Sequence, residues 1–171
     1  WGSNGMDDVL VEVFKQNTWA NLRLLDALER LTEEQLGLEI PGTYGRIRDV
    51  VTHLLAAEQR YVQRLSGQTR DQVLSEREGF PSAAALREHA RWSGDRLAAL
   101  AAQVRADEVF ESAYQGVTYR TRKLVVLVQA IEHGTEHRAH ATVTMSFHGI
   151  TPPSLDGWTY GQDAGYMETV G

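Results

Sequence analysis

The segment EHGTEHRAH, residues 132–140, holds His133, His137 and His140, half of the chain's six histidines, with Glu132 and Glu136 between them. Imidazole binds zinc, nickel, copper and iron alike, so the first chemistry to consider is that of a metal ion. Residues three or four apart share one face of a helix. His133 and His137 can therefore grip one ion, and so can His137 and His140. His133 and His140 cannot share it, because seven residues separate them by about 10 Å of helical rise. Spacing leaves both pairs open. An ion that keeps a free position for chemistry takes about three protein ligands, so the third must come from another element. His53, set among apolar residues, is the candidate. The plainer alternative makes His53 a packing residue and 132–140 a polar helix face.

Other site chemistries fare worse. A di-iron bundle needs Glu-x-x-His twice, and no glutamate here has a histidine three residues later. His133-Gly-Thr-Glu136-His137 fits H-x-x-E-H, the inverted zinc-protease motif with Glu136 as base. Its third ligand would have to be Asp156, Asp163 or Glu168, close to the end of a short chain. H-E-x-x-H and G-x-S-x-G are both absent. His89 has no sequence partner and is expected on the surface; His148 falls at a helix end, where a positive charge suits the dipole.

The 171 residues include no cysteine, which excludes disulfides, thiolate metal ligands and a cysteine nucleophile. At 42% hydrophobic and 23% charged, the composition is that of an ordinary globular chain. The net charge of −6 argues against a nucleic-acid partner, and the basic run Arg120–Lys123 is too short to reverse that. No apolar run approaches the ~18 residues of a membrane span. Trp1–Gly5 reads as a cloning remnant, no signal peptide is expected ahead of Met6, and a cytoplasmic location is expected.

The elements that must position the histidines are helical. Residues 7–31 carry Val9, Leu10, Val13, Phe14, Leu24, Leu25 and Leu28 at helical spacing. Thr32-Glu-Glu-Gln35 reads as a capping box opening a short helical turn, and residues 41–45 form a loop. Residues 46–66 give a second long helix bearing His53 and ending at Gly67. Phe80-Pro-Ser82 starts a third over 83–105. Residues 107–120 read as a loop or a poor hairpin. A fourth helix spans about 121–147, and its stretch Leu124–Val128 is apolar on nearly every side, so it should be buried. Gly149 and Pro152-Pro153 stop it. The tail, with Trp158, Tyr160 and Tyr166, lacks periodicity and is expected to pack across the helices. The expected fold is all-α, one domain over 6–171 built as a four-helix bundle, with a C-terminal tail from about 150.

Two stretches, PGTYGRIRDVVTHLLAAEQRYVQRLSG (41–67) and LVVLVQAIEHGTEHRAHATVTMSFHGITPPSLDGW (124–158), together resemble the DinB/YfiT-like superfamily. The order of parts agrees: a histidine early in the second helix, a spacer helix, an H-G-T-x-H-R segment, then G-x-T-P-P. The resemblance implies an up-down-down-up four-helix bundle, often a homodimer, with a divalent metal held by three histidines. On this chain those ligands are His53, His133 and His137, with zinc expected first and nickel second. The family commonly has histidine at the place of Glu136 and glutamine at that of His140; here Glu136 could orient a ligand and His140 could edge the pocket.

The resemblance also implies a small-molecule substrate and an activity. Relatives include metal-dependent transferases and isomerases that use a low-molecular-weight thiol of the mycothiol or bacillithiol type. Three neutral imidazoles leave an ion its full charge, so it can acidify a bound thiol or a bound water. Thiol transfer is the leading expectation. Hydrolysis and a non-catalytic metal- or ligand-binding bundle are the alternatives. Tyr61, Glu58 and Glu136 are the acid–base candidates.

Overall fold

A computed structural model describes residues 4–170, with side chains from Val9 onward. The chain is mostly helical. Helices α1 (Asn4–Leu28), α3 (Ile47–Ser66), α4 (Ala83–Gln103) and α5 (Lys123–Phe147) are long; α2 (Glu33–Leu36) and α6 (Gly157–Asp163) are short. A single 3-10 turn, Glu76–Glu78, interrupts the connection between α3 and α4. α1 packs chiefly on α4, and α3 packs on both α5 and α4. Among the described residues no helix is long and apolar enough to cross a membrane.

Local chemistry explains the boundaries. Thr32 Oγ1 accepts from the Gln35 amide at 3.2 Å while the Gln35 side chain accepts from the Thr32 amide at 2.9 Å, closing the expected capping box. Gly67 ends α3 at φ +74, a left-handed conformation that costs glycine no Cβ clash. α1 begins three residues before the expected Asp7 and ends at Leu28, three before the expected Leu31.

Two apolar clusters fill the interior. One gathers Leu24, Leu28, Leu54, Leu86 and Met145, the other Phe14, Tyr61, Leu97, Leu127 and Ala130. Between them lies a buried polar layer to which all four long helices contribute. Glu58, 1% exposed, accepts from Asn17 and Asn21 Nδ2 at 2.8 Å each and from Ser93 Oγ at 2.7 Å. Arg138 Nη1 donates to Asn17 Oδ1 at 2.6 Å and to Asn21 Oδ1 at 2.8 Å. The two asparagines thus stand between a buried anion and a buried cation, with their amide polarity aligned to both. Gly134 makes room for this layer, since a Cβ there would sit 2.7 Å from Asn17 Oδ1.

Several expectations are corrected. The chain is mostly rather than purely α, because of the two readings of 107–120 the hairpin holds: β1 (Val109–Tyr114) pairs antiparallel with β2 (Val117–Arg122), from Val109↔Arg122 to Tyr114↔Val117. Its two turn residues, Gln115 and Gly116, both have positive φ (50 and 78), as a tight hairpin turn requires. The signal was weak because little of the hairpin is buried. The Leu124–Val128 stretch is not buried all round. Val126 and Leu127 face the core, but Val125 and Val128 are 50% and 58% exposed. α5 starts at Lys123 and α4 stops at Gln103, both two residues short of expectation. The tail is partly helical. Asp156 caps α6 by accepting from the Trp158 and Thr159 amides. Tyr160 hydrogen-bonds to Glu12, and Asp163 pairs with Arg23 at 2.7 Å. The tail therefore docks on α1 rather than across all the helices, and Trp158 itself stays exposed.

Candidate metal centre

α3 and α5 pack side by side, and this contact brings His53 to His133 and His137. One ring nitrogen from each lies within 4.8 Å of the others. The Nε2 atoms of His53 and His133 are 3.1 Å apart. Two nitrogens each about 2.1 Å from a shared zinc ion stand at about that separation. His137 is buried, and its Nδ1 has no hydrogen-bond partner. An orphaned buried nitrogen is costly, and a neutral, nitrogen-only donor set of this kind suits zinc or nickel. The residues fit such an ion.

Electrostatics agree. Burial pushes His133 down to about 4, helped by His53 and Arg60. Burial likewise lowers His137 to about 4, helped by His133 and His53. Both rings are therefore neutral near pH 7, the state a metal ligand needs.

Two neighbours were not legible as site residues. Glu76, in the 3-10 turn, places Oε2 2.7 Å from His53 Nδ1 and accepts from Arg60 Nη1 at Oε1, 2.8 Å away. Burial raises the Glu76 pKa, but the hydrogen bonds from His53 and Arg60 outweigh it and hold the carboxyl below its ordinary value. Tyr44, in the loop before α3, stacks on His53 with centroids 3.9 Å apart and meets His137 edge-on at 5.1 Å. Its hydroxyl donates to Glu76 Oε2 at 3.3 Å. Gly42 and Gly45, both at positive φ, give the loop the turn that brings Tyr44 over the histidines. No helical periodicity links residues 44 or 76 to 133–137, so spacing gave no signal.

The other sequence candidates fall elsewhere. Glu136 faces solvent, and the carboxylate that touches a candidate ligand is Glu76. Glu58 is fully engaged in the buried layer and is not free for acid–base work. Tyr61 lies beside His133, with ring centroids 5.8 Å apart, and burial raises its pKa. His140 meets His137 edge-on at 5.4 Å, and its own buried Nδ1 lacks a partner. His89 is not on the surface. It is 2% exposed on α4, and its Nδ1 accepts from Arg70 Nη1 at 2.8 Å. His148 caps α5, with Nε2 3.3 Å from the Glu39 carbonyl.

No curated protein matches the chain significantly. A DinB-like protein from Bacillus cereus, known from a crystal structure, superimposes with a TM-score of 0.64 at 20% identity, over 85% of this chain and 94% of that one. At that identity the likeness is one of fold. The family model described as "DinB family" matches residues 6–168, which span the α3 and α5 segments that carry the three histidines. The chain belongs to the DinB family.

Proposed function

We propose that this protein binds one divalent metal ion through His53, His133 and His137, zinc first and nickel second, and acts as a metal-dependent transferase on a small molecule together with a low-molecular-weight thiol. The observation that carries the reading is the convergence of three imidazole nitrogens within 4.8 Å from two different helices. A bound ion with three neutral ligands would acidify a coordinated thiol. The chain's own contribution is to hold His133 and His137 neutral by burial, with Tyr44 covering one side of the cluster.

The architecture we propose is an up-down-down-up four-helix bundle. In support, α1 and α5 run from the Phe14–Ala130 cluster towards the Leu24–Met145 cluster, whereas α3 and α4 run the other way. A homodimer is proposed as well. Leu10, Leu124, Leu127, Val128 and Ile131 line an apolar groove on the α1/α5 face. If that face joins two copies, Val128→Glu shifts the sedimentation profile from dimer to monomer; a monomeric wild type would defeat the assignment.

The experiment is elemental analysis of untagged protein purified without added metal. Wild type and His148→Ala should each retain about one zinc or nickel per chain, and His53→Ala should lose it. Metal loss in the mutant justifies testing thiol-transfer substrates, with hydrolysis of the same substrates as the competing outcome. No metal in any of the three would leave 132–140 as a polar helix face.

A further inference from the structure

The connection between α3 and α4 is pinned over the histidine cluster by more than one contact. The Leu74 amide donates to Gln59 Oε1 at 3.0 Å, and Leu74 itself packs against the first apolar cluster. Two residues later, Glu76 is held at both oxygens, by Arg60 at one and by His53 and Tyr44 at the other. Arg60 and His53 lie seven residues apart on α3, two helical turns on one face. Their side chains define where the carboxylate must sit, and this geometry belongs to the protein alone.

We propose that Glu76 is a positioning residue that fixes the tautomer and orientation of His53. A carboxylate only accepts hydrogen bonds, so a neutral His53 must carry its hydrogen on Nδ1. That leaves a lone pair on Nε2, the atom that faces His133 Nε2 at 3.1 Å. Tyr44, stacked on the ring face, opposes tilting of the ring out of this orientation. Glu76 has a second effect. It pairs with Arg60 at 2.8 Å and so offsets a positive charge that would otherwise oppose a cation at the cluster. The effect on metal affinity rests on the metal-ligand reading above; the tautomer assignment does not.

The test therefore has two arms. In metal-free protein, nitrogen-15 NMR of the histidine rings should show His53 as the Nδ1–H form in wild type. Glu76→Ala should move it towards Nε2–H, and Glu76→Gln, which keeps an accepting oxygen, should retain much of the wild-type form. His53 as Nε2–H in wild type, or an unchanged tautomer in Glu76→Ala, overturns the proposal. In the second arm, zinc affinity is measured by competition with a chromophoric chelator. Glu76→Ala should bind about 10–100-fold more weakly than wild type, with unchanged helical circular dichroism. Wild-type affinity in Glu76→Ala overturns the positioning role. A wild type that binds no zinc overturns the metal reading instead, and the NMR arm alone then decides the role of Glu76.

Discussion

Burial is the first cause of the low His89 pKa, pushed down to about 4, and the charge of Arg70 adds to it. The ring is neutral in the folded chain, accepting from Arg70 at Nδ1 and keeping its hydrogen on a buried Nε2 that has no partner. In the unfolded chain the same ring titrates near 6.5. Its contribution to stability is thus complete above pH 6.5 and is lost as pH falls from there towards 4, where the unfolded state binds the proton first. The folding constant should lose at most about tenfold per pH unit from this one group. Denaturant titrations should show a shallower acid slope for His89→Gln than for wild type across that window. Equal slopes would mean that His89 is already protonated in the fold. This histidine was misjudged because a lone His on an Ala-rich helix gives no sign of which face it takes.

Among the elements, α5 carries the heaviest constraint. It must present His133 and His137 to α3 and, one residue further along in each case, Gly134 and Arg138 to α1. The buried layer fixes that rotation, because Arg138 finds its acceptors only if α5 is turned this way. Burial lowers the Arg138 pKa to about 10, and Glu58 partly restores it. Removing the anion leaves the cation uncompensated inside the fold. Glu58→Ala should cost about 3–5 kcal/mol of stability by chemical denaturation, and Glu58→Gln should cost less because it keeps an acceptor for the two asparagines. A loss below about 1 kcal/mol, the worth of an exposed pair, would show that the layer is solvated. The glycine and arginine of the H-G-T-x-H-R segment are thus explained by helix packing, and its two histidines are the ones that meet His53.

At the scale of the whole molecule, a ligand held between α3 and α5 ties together two segments some eighty residues apart in sequence. Binding to the folded state alone stabilises it by mass action. Zinc at about a hundred times its dissociation constant should add about 2.7 kcal/mol. Calorimetry should show this as a raised melting temperature in wild type and no shift in His53→Ala; equal shifts in both would place the zinc elsewhere. Much of this molecule was legible beforehand. Helical periodicity, the Thr32 box and the stop at Gly67 are local, so the long helices and their approximate bounds followed from neighbouring residues alone. The histidine spacing likewise limited the candidate pairs on α5. Local sequence could not choose between those pairs, bury His89, hide Glu58 or bring Glu76 and Tyr44 to His53. Each of those depends on which helix faces are turned inward and on where the loops come to rest. Packing between distant segments decides both, and a sequence window does not contain it.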